Sequence, residues 1–307
     1  MITYFWQSLE TDQYSGDAIY KWTRKNLWFI FLDLYYKPNQ IITTMANPKG
    51  LEDRFILHWL DDSRSHRILW LLEILNLDYE VKIYLRHPET WRGPLQLFDV
   101  NQLGKAPVLE IVFADGRPPI SLSELGFIMQ YLLRYYDPDH ILNPVSQDLQ
   151  LEVDYFLHFS EGSLQHIQMA LLINSAAKHI SPFGTKKLVN TITKAINNGY
   201  YKHEWYLNMD YLESRLEQNK TGFFVGDRLT GADVILSFPI YENVFDNLDG
   251  MKEILGDKRD LRKMYPNLYQ WSKMIRKDPS YKKVTQMMDE DVEDLIALNP
   301  RFDYGKE

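Results

Sequence analysis

From Phe55 onward, short apolar runs alternate with segments whose apolar residues recur at helical spacing. Phe55–Trp59 is an apolar run of strand length, and the polar turn Leu60-Asp-Asp-Ser-Arg64 follows it. Ile68, Leu71, Leu72 and Leu75 then stand at i, i+3, i+4 and i+7, the spacing of one face of an amphipathic helix. Tyr79–Tyr84 reads as the next strand, and a loop containing Pro88, Gly93 and Pro94 leads to a short helix near Leu95–Phe98. Two further runs, Pro107–Phe113 and Ile120–Leu122, flank Asp115-Gly116, a turn dipeptide that predicts a hairpin. Leu125, Ile128, Met129, Leu132, Leu133 and Tyr136 share one helical face. The resulting order over residues 54–138, β-α-β-α-β-β-α, predicts a thioredoxin-like α/β domain.

Asp137-Pro138 breaks the last helix, and a proline-containing linker runs to about Val145. Beyond it the patterning is helical throughout, which predicts an all-α domain over residues 146–300. Val153, Phe156, Leu157, Leu164 and Ile167 define one buried face, and Trp205, Met209, Leu212 and Leu216 another. Thr230-Gly-Ala-Asp233 reads as a capping box opening the apolar run Val234–Ile240, with Asp in place of the usual Glu or Gln.

Residues 1–53 differ from the rest and are assigned to an N-terminal extension. They hold a polar stretch with scattered aromatics, a short apolar run Leu27–Tyr36 and a loop with Pro38, Pro48 and Gly50. Met45 stands where a compact domain of this kind would start, so residues 1–44 are either an appendage read from an upstream start or an interaction arm. Without sustained periodicity, nothing in this segment predicts a contribution to the core. Deleting residues 1–44 is therefore expected to leave melting temperature and turnover intact. A fall of more than about 5 °C would show the arm to be packed.

Composition narrows the chemistry. The 307 residues carry a net charge of −8, which repels a phosphate backbone and argues against nucleic-acid binding. The absence of cysteine excludes disulfides, thiolate metal sites and a cysteine nucleophile, so any thiol chemistry must use a thiol brought by a ligand. No apolar stretch has the length of a membrane span, and the Leu27–Tyr36 run lacks the cleavage site of a signal peptide. The cytoplasm is the expected compartment.

Several residues are candidates for function. Ser63 and Ser65 lie in the turn feeding the first helix, where unpaired N–H groups and a partial positive charge favour an anion. A serine at that place is also a common N-cap, and the pair alone does not separate the two roles. Pro107 opens a strand after Gly104-Lys-Ala, a place where proline costs no ladder bond. Ser123-Glu124 ahead of the next helix would either cap it or present a carboxylate and N–H groups to a zwitterionic ligand. His158, Glu161 and His166 lack zinc spacing, no phosphate-cradling glycine loop occurs, and the acidic run Asp289–Asp294 lacks an EF-hand glycine. No metal is expected.

Read together, four segments resemble the glutathione S-transferase family. Residues 58–73, HWLDDSRSHRILWLLE, look like its first strand and helix, and 101–110, NQLGKAPVLE, like its cis-proline segment. Residues 122–132, LSELGFIMQYL, are similar to its glutamate–serine helix, and 224–233, FVGDRLTGAD, to the capping box of its helical domain. YFLHFSEGSLQ, 155–165, resembles the yeast, endoplasmic-reticulum-associated subgroup.

The resemblance implies the roles that follow. Ser63 would hydrogen-bond the glutathione sulfur, with Ser65 the runner-up. Ala106 would bind the cysteinyl backbone with Pro107 cis, Lys105 the glycyl carboxylate and Glu124 the γ-glutamyl end. Leu125 departs from the pattern, which has serine there for the γ-glutamyl carboxylate. The implied protein is a homodimer that uses glutathione as co-substrate, needs no further cofactor, and acts on a small electrophile. It would conjugate electrophiles or reduce organic hydroperoxides, in the cytoplasm with peripheral association at the endoplasmic reticulum. The alternative is a non-catalytic interaction or regulatory module on the same fold.

Overall fold

The structure is a computed structural model, and it describes residues 53–87, 90–297 and 302–305. Apart from Asp53, the expected N-terminal extension lies outside the described residues.

Strand β1 (Arg54–Leu60) is followed by helix α1 (His66–Ile74), strand β2 (Tyr79–Tyr84) and a short 3-10 helix at Leu95–Asp99. Strands β3 (Val108–Val112) and β4 (Ile120–Ser123) then precede helix α2 (Leu125–Tyr135). The sheet order is β2-β1-β3-β4, with β1 and β2 parallel and the other two pairings antiparallel. This is a thioredoxin-like topology: a parallel pair joined by a crossover helix, extended by the predicted hairpin.

Phe55, Leu57 and Trp59 alternate along β1 onto the face covered by α1 and α2, where Ile68, Leu72, Ile128, Met129 and Leu132 are buried. Burial of a leucine or isoleucine of this kind stabilises by about 1.5–3 kcal/mol. Asp53, just ahead of β1, is buried too: its carboxylate accepts bonds from Ala114 N–H at 2.7 Å and the Tyr136 hydroxyl at 2.8 Å.

The remaining secondary-structure elements among the described residues are helices. Helix α3 (Gln147–Phe159) continues through a π-helical turn, Ser160–Gln165, into α4 (His166–Ile180). Helix α5 (Lys186–Ile196) likewise passes through a π-turn, Asn197–Tyr201, into α6 (Lys202–Asn219). Helix α7 (Gly231–Leu236) opens with the capping box read from the sequence, formed by Thr230 and Asp233. A π-helical stretch, Ser237–Asp246, leads to α8 (Leu248–Leu255), α9 (Leu261–Met264), α10 (Pro266–Lys277) and α11 (Pro279–Ala297).

The seam between the α/β and helical parts is partly polar. Arg67 of α1 is fully buried and donates to the Ile235 carbonyl at 2.6 Å and to Ser160 Oγ at 3.3 Å, and it pairs with Glu161 at 2.9 Å. Trp70 Nε1 donates to Ser280 Oγ at 2.8 Å, and His66 Nε2 lies 3.0 Å from Thr285 Oγ1. Burial holds the His66 pKa down to about 4, so its ring is neutral at physiological pH.

Candidate active site

Three segments leave the sheet at one end. Val108, the first residue of β3, is paired with His58 of β1 and with Ser123 of β4. Because β3 is antiparallel to both neighbours, the C-terminal ends of β1 and β4 lie beside its start. β1 runs out into the turn carrying Ser63, β3 is entered through Ala106-Pro107, and β4 delivers Glu124 and Leu125 to the start of α2. The topology thus brings segments far apart in the chain to one edge.

At the first of these the two serines differ. Ser65 occupies the cap position of α1, yet its side chain makes no cap hydrogen bond, and it is completely buried. Ser63 is half-buried; its Oγ lies 2.7 Å from Ser65 Oγ and accepts the Ser65 backbone N–H at 3.3 Å. A buried hydroxyl proton needs an acceptor, and the acceptor within reach of Ser65 is Ser63 Oγ. Donation from Ser65 to Ser63 satisfies the buried hydroxyl and leaves the Ser63 proton to point toward solvent or a ligand. Donation from Ser65 also polarises the Ser63 hydroxyl and makes it a stronger donor.

The turn is held from both sides. Arg86 donates to Asp61 from its backbone N–H (2.6 Å, to Oδ1) and from Nε (2.9 Å, to the carbonyl), and from its guanidinium to the carbonyls of Asp62 (3.4 Å) and Trp91 (2.9 Å). Burial is the main cause that raises the Asp61 pKa. On the other side Arg64, next to Ser63, is ion-paired with Glu161, which also pairs with Arg67. Residues adjoining Ser63 are thereby tied to the β2 exit and to the helical region.

The second segment is shaped by glycine. Gly104 has φ +58°, and a Cβ there would stand 2.6 Å from the Phe98 ring. Both the backbone and the contact require glycine. The chain turns through Asn101–Gly104, with the Gly104 N–H on the Asn101 carbonyl at 2.8 Å. It then presents exposed Lys105 and half-buried Ala106 ahead of buried Pro107, and the Ala106–Pro107 bond is cis.

In the third segment Glu124 is exposed with φ 70° and ψ 112°, an uncommon backbone for a residue other than glycine. Its side chain does not cap α2, so it stays turned outward from the helix start. Leu125 is 4% exposed and belongs to the core with Ile128 and Met129. Leu125 thus packs in the core, and its aliphatic side chain has no hydrogen-bonding group.

The first of two family models to match, the N-terminal domain of glutathione S-transferases, covers residues 63–134 of the chain; the second, their C-terminal domain, covers 190–286. Glutathione S-transferase 1 of Saccharomyces cerevisiae is 34% identical over 226 residues, which is 73% of this chain and 91% of that protein. The chain belongs to the glutathione S-transferase family. Among solved structures, a glutathione S-transferase from Actinobacillus pleuropneumoniae aligns with TM-score 0.55 and 30% identity, over 76% of this chain and 93% of that one. A glutathione transferase homologue from Lodderomyces elongisporus, solved with two glutathione molecules per subunit, aligns with TM-score 0.58 at 22% identity over 76% and 98% of the two chains. That second likeness shows the fold.

For this family member, Ser63, Ser65, Lys105, Ala106, Pro107 and Glu124 all stand at the shared end of the sheet, and Leu125 begins α2 with its side chain turned to the core. Arg86 and Glu161 are the participants sequence reasoning missed. Arg86 lies 25 residues from Asp61, and Glu161 lies 97 from Arg64, so no local spacing could have signalled either contact.

Proposed function

We propose that the protein is a glutathione transferase that activates the glutathione thiol with Ser63. The observation carrying this reading is the difference in burial within the serine pair: Ser65 is completely buried with Ser63 Oγ 2.7 Å away, so Ser63 is the hydroxyl at the start of α1 that a ligand can reach. A free thiol with pKa near 8.5 is a few per cent ionised at neutral pH. Lowering that value by about 2 units takes about 2.7 kcal/mol, within reach of a hydroxyl donor together with a helix N-terminus. The thiolate then attacks an electrophilic carbon, forming the C–S bond while the leaving group departs with the bonding pair. Toward an organic hydroperoxide, it takes one oxygen and releases an alcohol; a second glutathione then gives the disulfide and water.

In this reading Ala106 supplies backbone hydrogen bonds to the cysteinyl part and Pro107 fixes their direction. Lys105 meets the glycyl carboxylate, and Glu124 the γ-glutamyl ammonium. The unpaired N–H groups at the start of α2 receive the γ-glutamyl carboxylate. No further cofactor is needed, and the working unit is a homodimer. Retention on immobilised glutathione followed by conjugation of a generic aryl halide tests the proposal. Retention without turnover would instead establish the non-catalytic module, the reading that Leu125 favours by withholding a hydroxyl.

Leu125→Ser separates the two roles of that position. A serine hydroxyl could bond the γ-glutamyl carboxylate, and a bond to a charged group is worth about 1.5–3 kcal/mol. Glutathione is thus expected to bind at least roughly fivefold more tightly. Because Leu125 is buried in the core, the same change should cost about 3 kcal/mol of stability. Calorimetric titration and a thermal melt measure the two effects. Unchanged or weaker binding would place the γ-glutamyl end elsewhere.

A further inference from the structure

Residues 302–305, which follow α11 in the chain, are docked on the exit of β2, 219 residues away in sequence. The Tyr304 hydroxyl donates to the Leu85 carbonyl at 2.9 Å, and the Tyr304 ring meets that of His87 edge-on at 5.0 Å. Phe302 lies against Tyr84, with ring centroids 6.2 Å apart. Asp303 bonds the short 3-10 helix twice: its carbonyl accepts the Leu95 N–H, and its own N–H donates to Gln96 Oε1 at 3.3 Å. Its carboxylate accepts the Gly305 N–H at 2.8 Å, and Gly305 has φ +77°, which closes a tight turn.

The Leu85 carbonyl is a telling place for this contact. Strand β2 is at the edge of the sheet, so the backbone just beyond it lacks a strand on its outer side. The Leu85 carbonyl and the Arg86 N–H belong to one planar peptide group and point in opposite directions. Arg86 N–H donates inward to Asp61 Oδ1 at 2.6 Å, while the carbonyl accepts Tyr304 from outside. One peptide group is thereby held at both ends, and donation from Tyr304 polarises it and strengthens the N–H as a donor. The Tyr84 carbonyl accepts the Asp61 N–H at 3.0 Å, and the Arg86 side chain bonds the carbonyls of Asp61 and Asp62. Residues 84–86 thus hold the two residues that precede Ser63. Burial and the Asp61 carboxylate raise the Tyr304 pKa, so its hydroxyl keeps the proton it donates.

We propose that Tyr304 is a positioning residue for the thiol chemistry: bonded to the Leu85 carbonyl, it clamps the Leu85–Arg86 peptide and, through Asp61, the turn that aims the Ser63 hydroxyl. Phe302 and Asp303 seat the clamp on Tyr84, Leu95 and Gln96. A hydroxyl donor stabilises a thiolate only from the right distance and direction, so a looser turn weakens it without removing it. Tyr304 acts through the backbone of the turn and not by touching the reacting sulfur. The inference rests on the role proposed for Ser63.

Tyr304→Phe, which keeps the ring and removes the donor, and separately deletion of residues 302–307 test it in the otherwise full chain. In Tyr304→Phe the melting temperature is expected to stay within roughly 2 °C. Hydrogen exchange of peptides spanning residues 60–63 and 84–87 should quicken roughly threefold or more. The thiolate titration of bound glutathione should move up by about half a pH unit, and kcat measured below the thiol pKa should fall roughly threefold while KM for glutathione stays within about twofold. Deletion should give effects at least as large. Unchanged exchange in both variants overturns the clamp whatever Ser63 does. Faster exchange with an unmoved titration also overturns it when Ser63→Ala shifts the same curve, because the turn is then loose without consequence for the thiol. If Ser63→Ala itself leaves the curve unmoved, the role of Ser63 has failed and the role of Tyr304 falls with it.

Discussion

Ser63→Ala is expected to slow glutathione conjugation by roughly tenfold or more, because it removes the hydroxyl that would bond the thiolate. The loss should appear first in the thiol itself: thiolate absorbance of bound glutathione against pH should move to higher pH by about one unit, which corresponds to about 1.4 kcal/mol. Stability should fall by about 1–3 kcal/mol, because the change leaves the buried Ser65 hydroxyl without its partner. Ser65→Ala makes the contrast. It withdraws the polarising donor and leaves Ser63 in place, so its effect on the titration should be the smaller of the two. If Ser65→Ala alone shifts the curve, the sulfur is held by the other serine and the assignment of Ser63 fails.

The largest loss of stability is expected at Asp233, far from the proposed chemistry. Its carboxylate is completely buried and accepts the backbone N–H of Thr230 at 2.9 Å and of Phe224 at 3.2 Å. It also accepts the Thr230 hydroxyl at 3.0 Å and Trp271 Nε1 at 2.9 Å. One side chain thus joins the start of α7, the loop before it and α10. Asp233→Ala would strand these donors in the interior, and stranding a single buried donor costs about 1–3 kcal/mol. A total near 3–5 kcal/mol is expected, lowering the melting temperature by roughly 10 °C.

The pH dependence gives an independent check. Burial, outweighing the hydrogen bonds, raises the Asp233 pKa to about 6 from 3.8. A raised carboxyl pKa contributes stability that is fully present below the unfolded value and lost as pH rises through the folded one. The stability gap between the native protein and Asp233→Ala should therefore narrow between about pH 4 and pH 7. A gap that is small and independent of pH would mean that water reaches the site.

Much of this architecture was legible in the chain because its causes are local. Tyr79–Tyr84 and the start of α2 at Leu125 fall where the patterning of strand and helix put them. The Thr230–Asp233 box forms as read because its partners lie three residues apart, within one turn of helix. The order of elements was legible too, whereas the meeting of the serine turn, the Ala106-Pro107 segment and the start of α2 at one edge came with the antiparallel pairing of β3 to β1 and β4.

Other features required the tertiary structure. Two serines two residues apart are equivalent on a sequence pattern; packing buried Ser65 and left Ser63 within reach of a ligand. Leu125 could have faced ligand or core, and the docking of α2 on the sheet decided for the core. The contacts of Arg86 with Asp61 and of Arg64 with Glu161 depend on distant segments meeting, which no spacing encodes.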